Sequence, residues 1–430
     1  MADLANIPRH FLFLQGPHGP FFDRLGRMLR TAGARTTRVG FNAGDAFFWR
    51  RRQDFVAFQD RAENWPDMVR GLIKDRAITD VVLYGDTRPI HRVAAAVARE
   101  YGLKIHVFEE GYLRPFWATY ERGGSNGHSR LMDLSVAQMR DMMQGAAPEL
   151  ANTPDHWGDL REHIFYGAIY HWFVLFRNTG FRNFKSHRST PVKHEFMLYL
   201  RRLAKMPLHR AERFQATVRI KRGGFPYHLV LLQLAHDESF RAHSRFTEMD
   251  DFLSLTISEF ARGAPAHHHL VFKAHPLEDG RIPLSRKIRE LTKEHGLNNR
   301  IHFVRGGKLA GLLDGARSSV TTNSTSAQQA LWRGLPLRAF GDAVFCKPEL
   351  VSHQPLADFF ADPQAPDHQA YLDFRRFLLA TSQVSGGFYS NRSRRQLLRN
   401  IVDMMLRDQD PYDALNPANE ARAQQLKLVK

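Results

Sequence analysis

Short apolar segments alternate with helix-length amphipathic segments in two separate parts of this 430-residue chain. The first part has apolar runs at His10–Leu14, Ile78–Tyr84 and Lys104–Phe108, with helical spacing between them. The second part repeats the pattern, with runs such as Leu229–Leu234 and His269–Lys273. Strands that alternate with helices in this way form mostly parallel sheets covered by helices. The pattern therefore predicts an α/β protein built from two Rossmann-like domains.

The alternation stops in the middle of the chain, and this interruption sets the predicted domain boundaries. We predict an N-terminal Rossmann-like domain at 1–150, a helical insertion at 151–225, a C-terminal Rossmann-like domain at 226–345, and C-terminal helices with a tail at 346–430. The two parallel sheets are expected to face a cleft. Gly16 and Gly19 permit a tight turn after the first strand, but the glycine fingerprint of dinucleotide-binding domains is absent there.

Three apolar runs of the second part end on clusters of polar residues. Ligands of open α/β sheets bind at the carboxyl ends of the strands, so these clusters predict a binding site. A turn rich in hydroxyl groups before a helix suits the phosphate of a nucleotide, although an ordinary helix cap would have the same composition. Asp237 is a candidate nucleophile or base, unless it caps the next helix. The candidate residues are Gln233, Asp237 and Ser239 after the first run, Lys273, His275 and Pro276 after the second, and Asn323, Ser324, Thr325 and Ser326 after the third.

The first part has polar strand ends of its own. Gln15 and His18 follow the first strand, and Glu109 and Glu110 end another strand close to Arg114. Adjacent carboxylates at a strand end can supply a general base or acid. Arg114 would either hold an anion or pair with Glu110 as part of the scaffold. We expect these residues to line an acceptor side of the site.

The charge of the chain is strongly positive and unevenly spread. Its formal net charge is +17, and the stretch from Arg177 to Arg222 has 13 Lys and Arg against 2 Asp and Glu. The aromatic segment Ile164–Phe176 precedes this basic stretch directly. Aromatic rings beside cations favour contact with a membrane surface, while a plain core helix and nucleic-acid binding stay open as alternatives. No apolar run is long enough to span a membrane and no signal peptide is present, so a cytoplasmic location is predicted.

Five motifs together carry a resemblance to a known family. They are Gln15–Phe22, Phe108–Pro115, Leu232–Ser239, Lys273–Pro276 and Thr322–Ser326, in this order along the chain. The set resembles the capsular polysaccharide synthesis and export family of the KpsS/LipB type from Gram-negative bacteria. The resemblance covers roughly residues 10 to 345. It implies a GT-B-like glycosyltransferase that places the first β-linked Kdo from CMP-Kdo on a (lyso)phosphatidylglycerol acceptor, starting the poly-Kdo linker of a group 2 type capsule.

The resemblance also implies roles for individual residues. Related KpsC-type transferases are retaining enzymes with a Gln…Asp-x-Ser motif and a His-Pro motif for CMP, and the positions from Gln233 to Ser239 and His275-Pro276 match these. Asp237 would be the nucleophile and Glu110 the acid or base. The chain departs from the relatives at Glu238, where they have a small residue, and at Glu110, where they have Asp.

The same resemblance implies the partners. We expect CMP-Kdo, an anionic phospholipid acceptor, the cytoplasmic face of the inner membrane, a KpsC-type transferase and the capsule export complex, and no nucleic acid. CMP-Kdo has one phosphate and a good leaving group, and the sequence has no obvious D-x-D metal motif. No cofactor and no metal ion are therefore expected. A transferase for another nucleotide sugar and a non-catalytic export scaffold stay open as alternatives.

Overall fold

The chain divides into two compact units, each built around its own β-sheet. The computed structural model describes residues 8–114, 117–144, 160–183, 192–234, 240, 243–276, 278 and 280–415. Unit 1 comprises Met1–His187 and Arg376–Lys430, and unit 2 comprises Arg188–Arg375. Residues 151–225 are thereby shared between the two units, and residues 346–430 are shared as well.

The described residues form twelve strands and fifteen α-helices. The strands are β1 His10–Phe13, β2 Arg35–Gly40, β3 Phe55–Ala57, β4 Asp80–Tyr84, β5 Lys104–Glu110, β6 Trp117–Arg122, β7 Tyr227–Leu231, β8 His269–Lys273, β9 Ile301–Val304, β10 Ser318–Thr321, β11 Leu337–Ala339 and β12 Gln383–Ser385. The helices are α1 Phe21–Thr31, α2 Ala43–Phe47, α3 Trp65–Arg76, α4 Pro89–Glu100, α5 Val136–Met142, α6 Leu160–Phe176, α7 Val192–Arg222, α8 Met249–Gly263, α9 Leu284–Glu294, α10 Ala310–Leu313, α11 Gln328–Leu331, α12 Leu356–Ala361, α13 His368–Thr381, α14 Asn391–Leu406 and α15 Pro411–Ala414.

The predicted α/β class is confirmed, because each unit has a sheet dominated by parallel strands. The sheet of unit 2 has the order β11-β10-β7-β8-β9, and all its pairs are parallel. The sheet of unit 1 has the order β12-β6-β5-β4-β1-β2-β3, with parallel pairing from β5 to β3. Its strands β1, β2, β4 and β6 are buried along almost their whole length, as expected for a sheet covered on both faces.

Strands β6 and β12 were not predicted, and each forms an antiparallel pair at one end of the sheet of unit 1. The connection from β5 to β6 is only six residues long, which is too short for the crossover that a parallel neighbour needs. Gly111 lies in this connection, where a Cβ atom would stand 2.1 Å from the carbonyl oxygen of Trp117. The tight reversal therefore requires glycine at this position.

A polar chain joins Arg9, which directly precedes β1, to buried residues of β4, β5 and β6 in unit 1. Nε2 of His106 lies 2.7 Å from Oδ1 of Asp80, and Nδ1 of His106 lies 2.7 Å from the hydroxyl of Tyr120. Nε of Arg9 donates to the same carboxylate at 3.1 Å. Burial alone would raise the pKa of Asp80, but the hydrogen bonds from His106 and Arg9 outweigh it and hold that pKa well below its usual range. The carboxylate is therefore charged and fully hydrogen-bonded inside the protein.

Two pairs of histidines lie near the amino ends of strands in unit 2. Nε2 of His228 is 3.1 Å from Nδ1 of His268, and Nδ1 of His269 is 2.8 Å from Nε2 of His302. His268 and His269 have different partners because successive side chains of an extended chain point to opposite faces. Burial, followed by the charge of neighbouring basic groups, lowers the pKa of His228 to about 3 and of His302 to about 4.

Because their pKa values are lowered, we expect these histidines to make the protein less stable in acid. In the unfolded chain they titrate near pH 6.5, so between that pH and about pH 4 the unfolded state binds more protons and the native state loses stability as the pH falls. For His228 the loss approaches about 1.4 kcal/mol per pH unit. We expect His228→Asn to reduce the difference in the free energy of unfolding between pH 7.5 and pH 5, measured by urea denaturation. The exposed His353 provides the control, His353→Asn. An unchanged pH dependence in His228→Asn would contradict this account.

Candidate functional site

Polar residues gather at the carboxyl edge of the sheet of unit 2, which we call the unit 2 edge. The register explains why: Leu231 of β7 pairs with Lys273 of β8 on one side and with Thr321 of β10 on the other. The residues that follow these strands therefore leave the sheet at the same edge. They include the sequence candidates Gln233, His275, Pro276 and the turn from Asn323 to Ser326, and the candidate Lys273 is the last residue of β8.

Gln233 joins two of these strand ends directly. Its side chain is buried, and its Oε1 accepts hydrogen bonds from the Thr322 hydroxyl and, at 3.1 Å, from the backbone N–H of Asn323. The Asn323 side chain in turn donates to the carbonyl of His243 at 3.1 Å. These contacts position the hydroxyl-rich turn, so in this structure Gln233 and Asn323 act as its supports.

The turn after β10 presents its hydroxyl groups on a short helical segment. Ser324 Oγ accepts from the N–H of Ser326 at 3.4 Å and lies 2.8 Å from the Ser326 hydroxyl. A 3₁₀ turn, Thr325–Ala327, follows, and α11 adds only one helical turn. The helix that follows the hydroxyl-rich turn is thus short, and its dipole contributes little. The hydroxyl groups are what the turn offers to a ligand.

A buried lysine and an arginine from the basic helix α7 lie together at this edge. Lys273 is 5% exposed and its Nζ donates to the carbonyl of Ala274 at 3.1 Å. Burial, followed by the charge of Arg213, lowers the pKa of Lys273 to about 8. Two cations held near each other raise the local positive potential, and an anion between them would relieve it.

The loop after β9 allows this arrangement because it contains two glycines in left-handed conformations. Gly306 has φ +63° and Gly307 has φ +84°. A Cβ on Gly307 would lie 2.4 Å from Cδ of Arg213, and one on Gly306 would lie 3.4 Å from Cα of Pro276. The loop, the His-Pro motif and Arg213 are therefore neighbours, although Arg213 is far from all of them in sequence.

The carboxyl edge of the sheet of unit 1, the unit 1 edge, has a hydrogen-bonded centre at Gln15. Nε2 of Gln15 donates to the hydroxyl of Tyr170 at 2.9 Å and to Oδ2 of Asp45 at 3.3 Å. Oε1 of Gln15 accepts from Nη1 of Arg88 at 3.3 Å. The His18 ring stacks on the Tyr170 ring with 4.3 Å between centroids. Tyr170, from α6, thereby brings Gln15 and His18 together.

Glu110 lies at the same edge, at the end of β5. The hydroxyl of Tyr84 donates to Oε1 of Glu110 at 3.1 Å, and the backbone N–H of Glu110 donates to Oε1 of Glu109 at 3.1 Å. Burial, followed by the charge of Glu110, raises the pKa of Tyr84 well above its usual value, so this hydroxyl keeps its proton. The Arg88 guanidinium lies 5.5 Å from the centre of the Tyr84 ring, which links Glu110 to the Gln15 centre.

An aromatic pair stands next to this carboxylate. The rings of His163 and Tyr389 are parallel, with centroids 3.9 Å apart. Burial lowers the pKa of His163 and the charge of Glu110 opposes this, while burial and then Glu110 raise the pKa of Tyr389. The unit 1 edge thus combines a carboxylate, an arginine, an amide and aromatic faces.

Three predicted residues remain, namely Arg114, which follows β5, and two residues that lie outside the described part of the chain. Arg114 is exposed, and its Nε donates to the carbonyl of Gly111 at 3.2 Å. Asp237 and Ser239 fall outside the residues that the structure describes.

Sequence reasoning missed several residues of these edges. Tyr84 is the last residue of β4 and Arg88 follows it closely, so both could have been found as polar residues at a strand end. Tyr170, Tyr389 and Arg213 had no such signal, because their positions depend on how α6, the segment before α14 and α7 pack.

Comparison with known proteins identifies the family. A model described as capsule polysaccharide biosynthesis protein matches residues 79–389. The capsule polysaccharide modification protein LipB of Neisseria meningitidis serogroup A is 32% identical over 397 residues, covering 91% of this chain and 94% of LipB. The capsule polysaccharide export protein KpsS of Escherichia coli is 30% identical over 382 residues, covering 89% of this chain and 97% of KpsS.

A solved structure similar to this chain is the KpsC β-Kdo 2,7 transferase of Thermosulfurimonas dismutans. It has a TM-score of 0.41 and 13% identity, covering 92% of this chain and 100% of that one. The resemblance that five motifs predicted is confirmed by the family model and by the two sequence relatives. Because the family model spans most of the chain and both relatives match nearly all of it, this chain belongs to the family of capsule polysaccharide biosynthesis proteins.

Proposed function

We propose that the protein is a glycosyltransferase that moves a β-linked Kdo from CMP-Kdo to a (lyso)phosphatidylglycerol acceptor. The product would start the poly-Kdo linker of a capsular polysaccharide, in keeping with the family. The observation that carries the proposal is the unit 2 edge, where Lys273 ends the strand before the His-Pro motif and Arg213 borders the loop that packs against Pro276. CMP-Kdo presents a phosphate and a sugar carboxylate, and paired cations with hydroxyl donors suit both groups.

In this proposal the unit 2 edge binds the donor. Lys273 and Arg213 neutralise the charge that develops on the phosphate of the leaving CMP, and His275 and the hydroxyl groups of Ser324, Thr325 and Ser326 donate hydrogen bonds to it. The unit 1 edge binds the acceptor, with Gln15, His18 and Arg88 around the head group. The predicted partners, a KpsC-type transferase and the capsule export complex, would then take the product.

The proposed chemistry is a double displacement with retention. A carboxylate oxygen of Asp237 attacks the anomeric carbon while the bond to the phosphate oxygen breaks, and CMP leaves with the electron pair. Glu110 then takes the proton of an acceptor hydroxyl, whose oxygen attacks the same carbon and releases Asp237 as a carboxylate. The two inversions preserve the configuration of the donor, and no step requires a metal ion or a cofactor.

The nucleophile has a direct test. Asp237→Asn should reduce transfer from CMP-Kdo to a fluorescent phosphatidylglycerol analogue by about 10³-fold or more, because an amide cannot form the covalent intermediate. CMP binding, measured by calorimetry, should stay unchanged. Asp314→Asn serves as the control, since this carboxylate is 64% exposed and pairs with Arg333. Near-normal transfer by Asp237→Asn would refute the mechanism, and no transfer by the wild-type protein with this donor would refute the function.

The donor cations predict a pH dependence. Lys273 is charged below its pKa of about 8 and neutral above it, so donor affinity should fall as the pH rises through that value. Lys273→Met and Arg213→Met should each raise the KM for CMP-Kdo by about 10- to 100-fold, as expected for a charge-assisted hydrogen bond. In Lys273→Met this pH dependence of KM should be lost. The exposed Lys293 provides the control, Lys293→Met, and an unchanged KM in both test variants would exclude the donor role.

We also propose that the protein works as a peripheral protein on the cytoplasmic face of the inner membrane. Among the described residues, no helix is long and apolar enough to cross a bilayer. The basic stretch from Arg177 to Arg222 would be attracted to anionic lipid at about 1 kcal/mol for each cation near the surface.

The electrostatic part of this proposal predicts salt-dependent binding. Changing the exposed Arg201, Lys205 and Arg210 to Gln should weaken binding to phosphatidylglycerol vesicles by about tenfold or more, and salt should weaken the wild-type interaction. The matched control changes three exposed arginines outside the stretch, Arg286, Arg289 and Arg399, to Gln. Equal effects in the two triple variants would show that the basic stretch has no special role.

A further inference from the structure

We propose that helix α6 is a two-sided platform, with one face in the unit 1 edge and the opposite face in an anionic lipid surface. The proposal rests on the proposed function for the identity of the acceptor, whereas the membrane-facing surface follows from the exposed side chains of α6 and its neighbours. It specifies which face meets the membrane and how a lipid head group reaches Gln15 and His18.

One face of α6 leaves large apolar side chains exposed. Phe165, Trp172 and Phe176 are 57%, 46% and 62% exposed. Their spacing of seven and four residues places them along one side of a helix. Trp172 contacts Phe176 with 5.7 Å between ring centroids. Phe47 of α2 extends this surface, since it is 43% exposed and stacks on Phe173 at 4.0 Å.

The opposite face of α6 is built into unit 1. Tyr170 and Val174 are buried, and the Tyr170 hydroxyl accepts hydrogen bonds from Gln15 at 2.9 Å and from Asn42 at 2.7 Å. The Tyr166 ring packs against Gly19, and the His163 ring stacks on Tyr389. These contacts fix the rotation of the helix about its axis. The exposed residues Phe165, Trp172 and Phe176, which we call the aromatic stripe, therefore point away from unit 1.

The composition of α6 explains why an outward apolar face needs a partner. The helix is apolar on all sides, and such a helix is normally buried on all sides. Here only one side is covered by the described residues. Large exposed apolar surfaces mark sites of interaction with proteins or membranes.

The features around the stripe favour a membrane over a protein partner. Trp and Phe are residues that settle at the lipid head-group level, and the exposed Arg177 and Arg182 follow the helix directly. Glu162 is the one acidic residue in the sequence of α6. At 17 residues the helix is about 25 Å long, and it would lie flat on the surface. The positive charge of the chain complements anionic lipid.

This placement has a mechanistic consequence. Side chains of the same helix turn reach both the lipid side and the hydrogen-bonded centre at Gln15. An anionic phosphoglycerol head group could therefore enter the unit 1 edge while its acyl chains stay in the bilayer.

The test uses the full-length protein with phosphatidylglycerol vesicles at constant ionic strength. The triple variant Phe165→Ser/Trp172→Ser/Phe176→Ser should bind the vesicles at least about tenfold more weakly, because burial of the three rings is lost. The control Tyr101→Ser/Trp332→Ser removes two exposed aromatic residues elsewhere and should bind normally. The triple variant should keep transfer to a water-soluble short-chain acceptor while losing transfer to the vesicle-embedded one.

A second measurement does not depend on the folding of that variant. Lipids brominated on their acyl chains should quench part of the wild-type tryptophan fluorescence, and Trp172→Phe should abolish this part. Unchanged vesicle binding in the triple variant, or unchanged quenching in Trp172→Phe, would overturn the proposal. So would a lipid-free wild-type dimer that the triple variant converts to a monomer, since the stripe would then join two copies. If the wild type transfers sugar to no acceptor, the proposed function fails, while the binding and quenching results still decide the membrane surface.

Discussion

Parallel register is the constraint on which both candidate sites depend. In unit 2, Leu231 is paired with Lys273 and with Thr321, so three strands end together. The residues that follow these strands are therefore close together. Gln233 binds the backbone of Asn323, and Lys273 lies one strand away. A one-residue slip of β7 would turn Gln233 away from the turn that it supports. The geometry of the sheet therefore brings the binding residues to one edge, and their side chains make the contacts there.

At each edge, a helix from the middle of the chain adds a side chain to the residues that follow the strands. In unit 2, Arg213 from α7 reaches the loop after β9 and increases the positive potential around Lys273. In unit 1, Tyr170 from α6 joins Gln15, Asn42 and His18. Both helices come from the part of the chain where the strand–helix alternation stops. This part interrupts the sequence pattern, yet it completes the sites that the pattern predicts.

The proposed function gives these helices a common purpose. A transferase that joins a water-soluble anionic donor to a lipid must hold anions and also meet a bilayer. In this proposal the basic residues of α7 attract anions, and the aromatic face of α6 contacts the bilayer. In this view, the positive charge of the chain acts on two scales, as a diffuse attraction to lipid and as a localised pair of cations at the unit 2 edge.

The sequence by itself determined the α/β class, most strand positions and the polar strand ends. These features depend on the spacing of apolar residues and on turn residues, which are local properties of the sequence. It predicted Gln15, His18, Lys273 and the turn from Asn323 to Ser326 as residues of sheet edges. It did not predict β6 and β12, the support role of Gln233, or the parts of Tyr170, Tyr389 and Arg213. Except for β6, which pairs with its sequence neighbour β5, these features depend on contacts between residues more than 50 positions apart, as between Gln15 and Tyr170. Only packing of the folded chain decides such contacts. The exposed face of α6 is a further example, since a helix that is apolar on all sides gives no sign in its sequence of which side is covered.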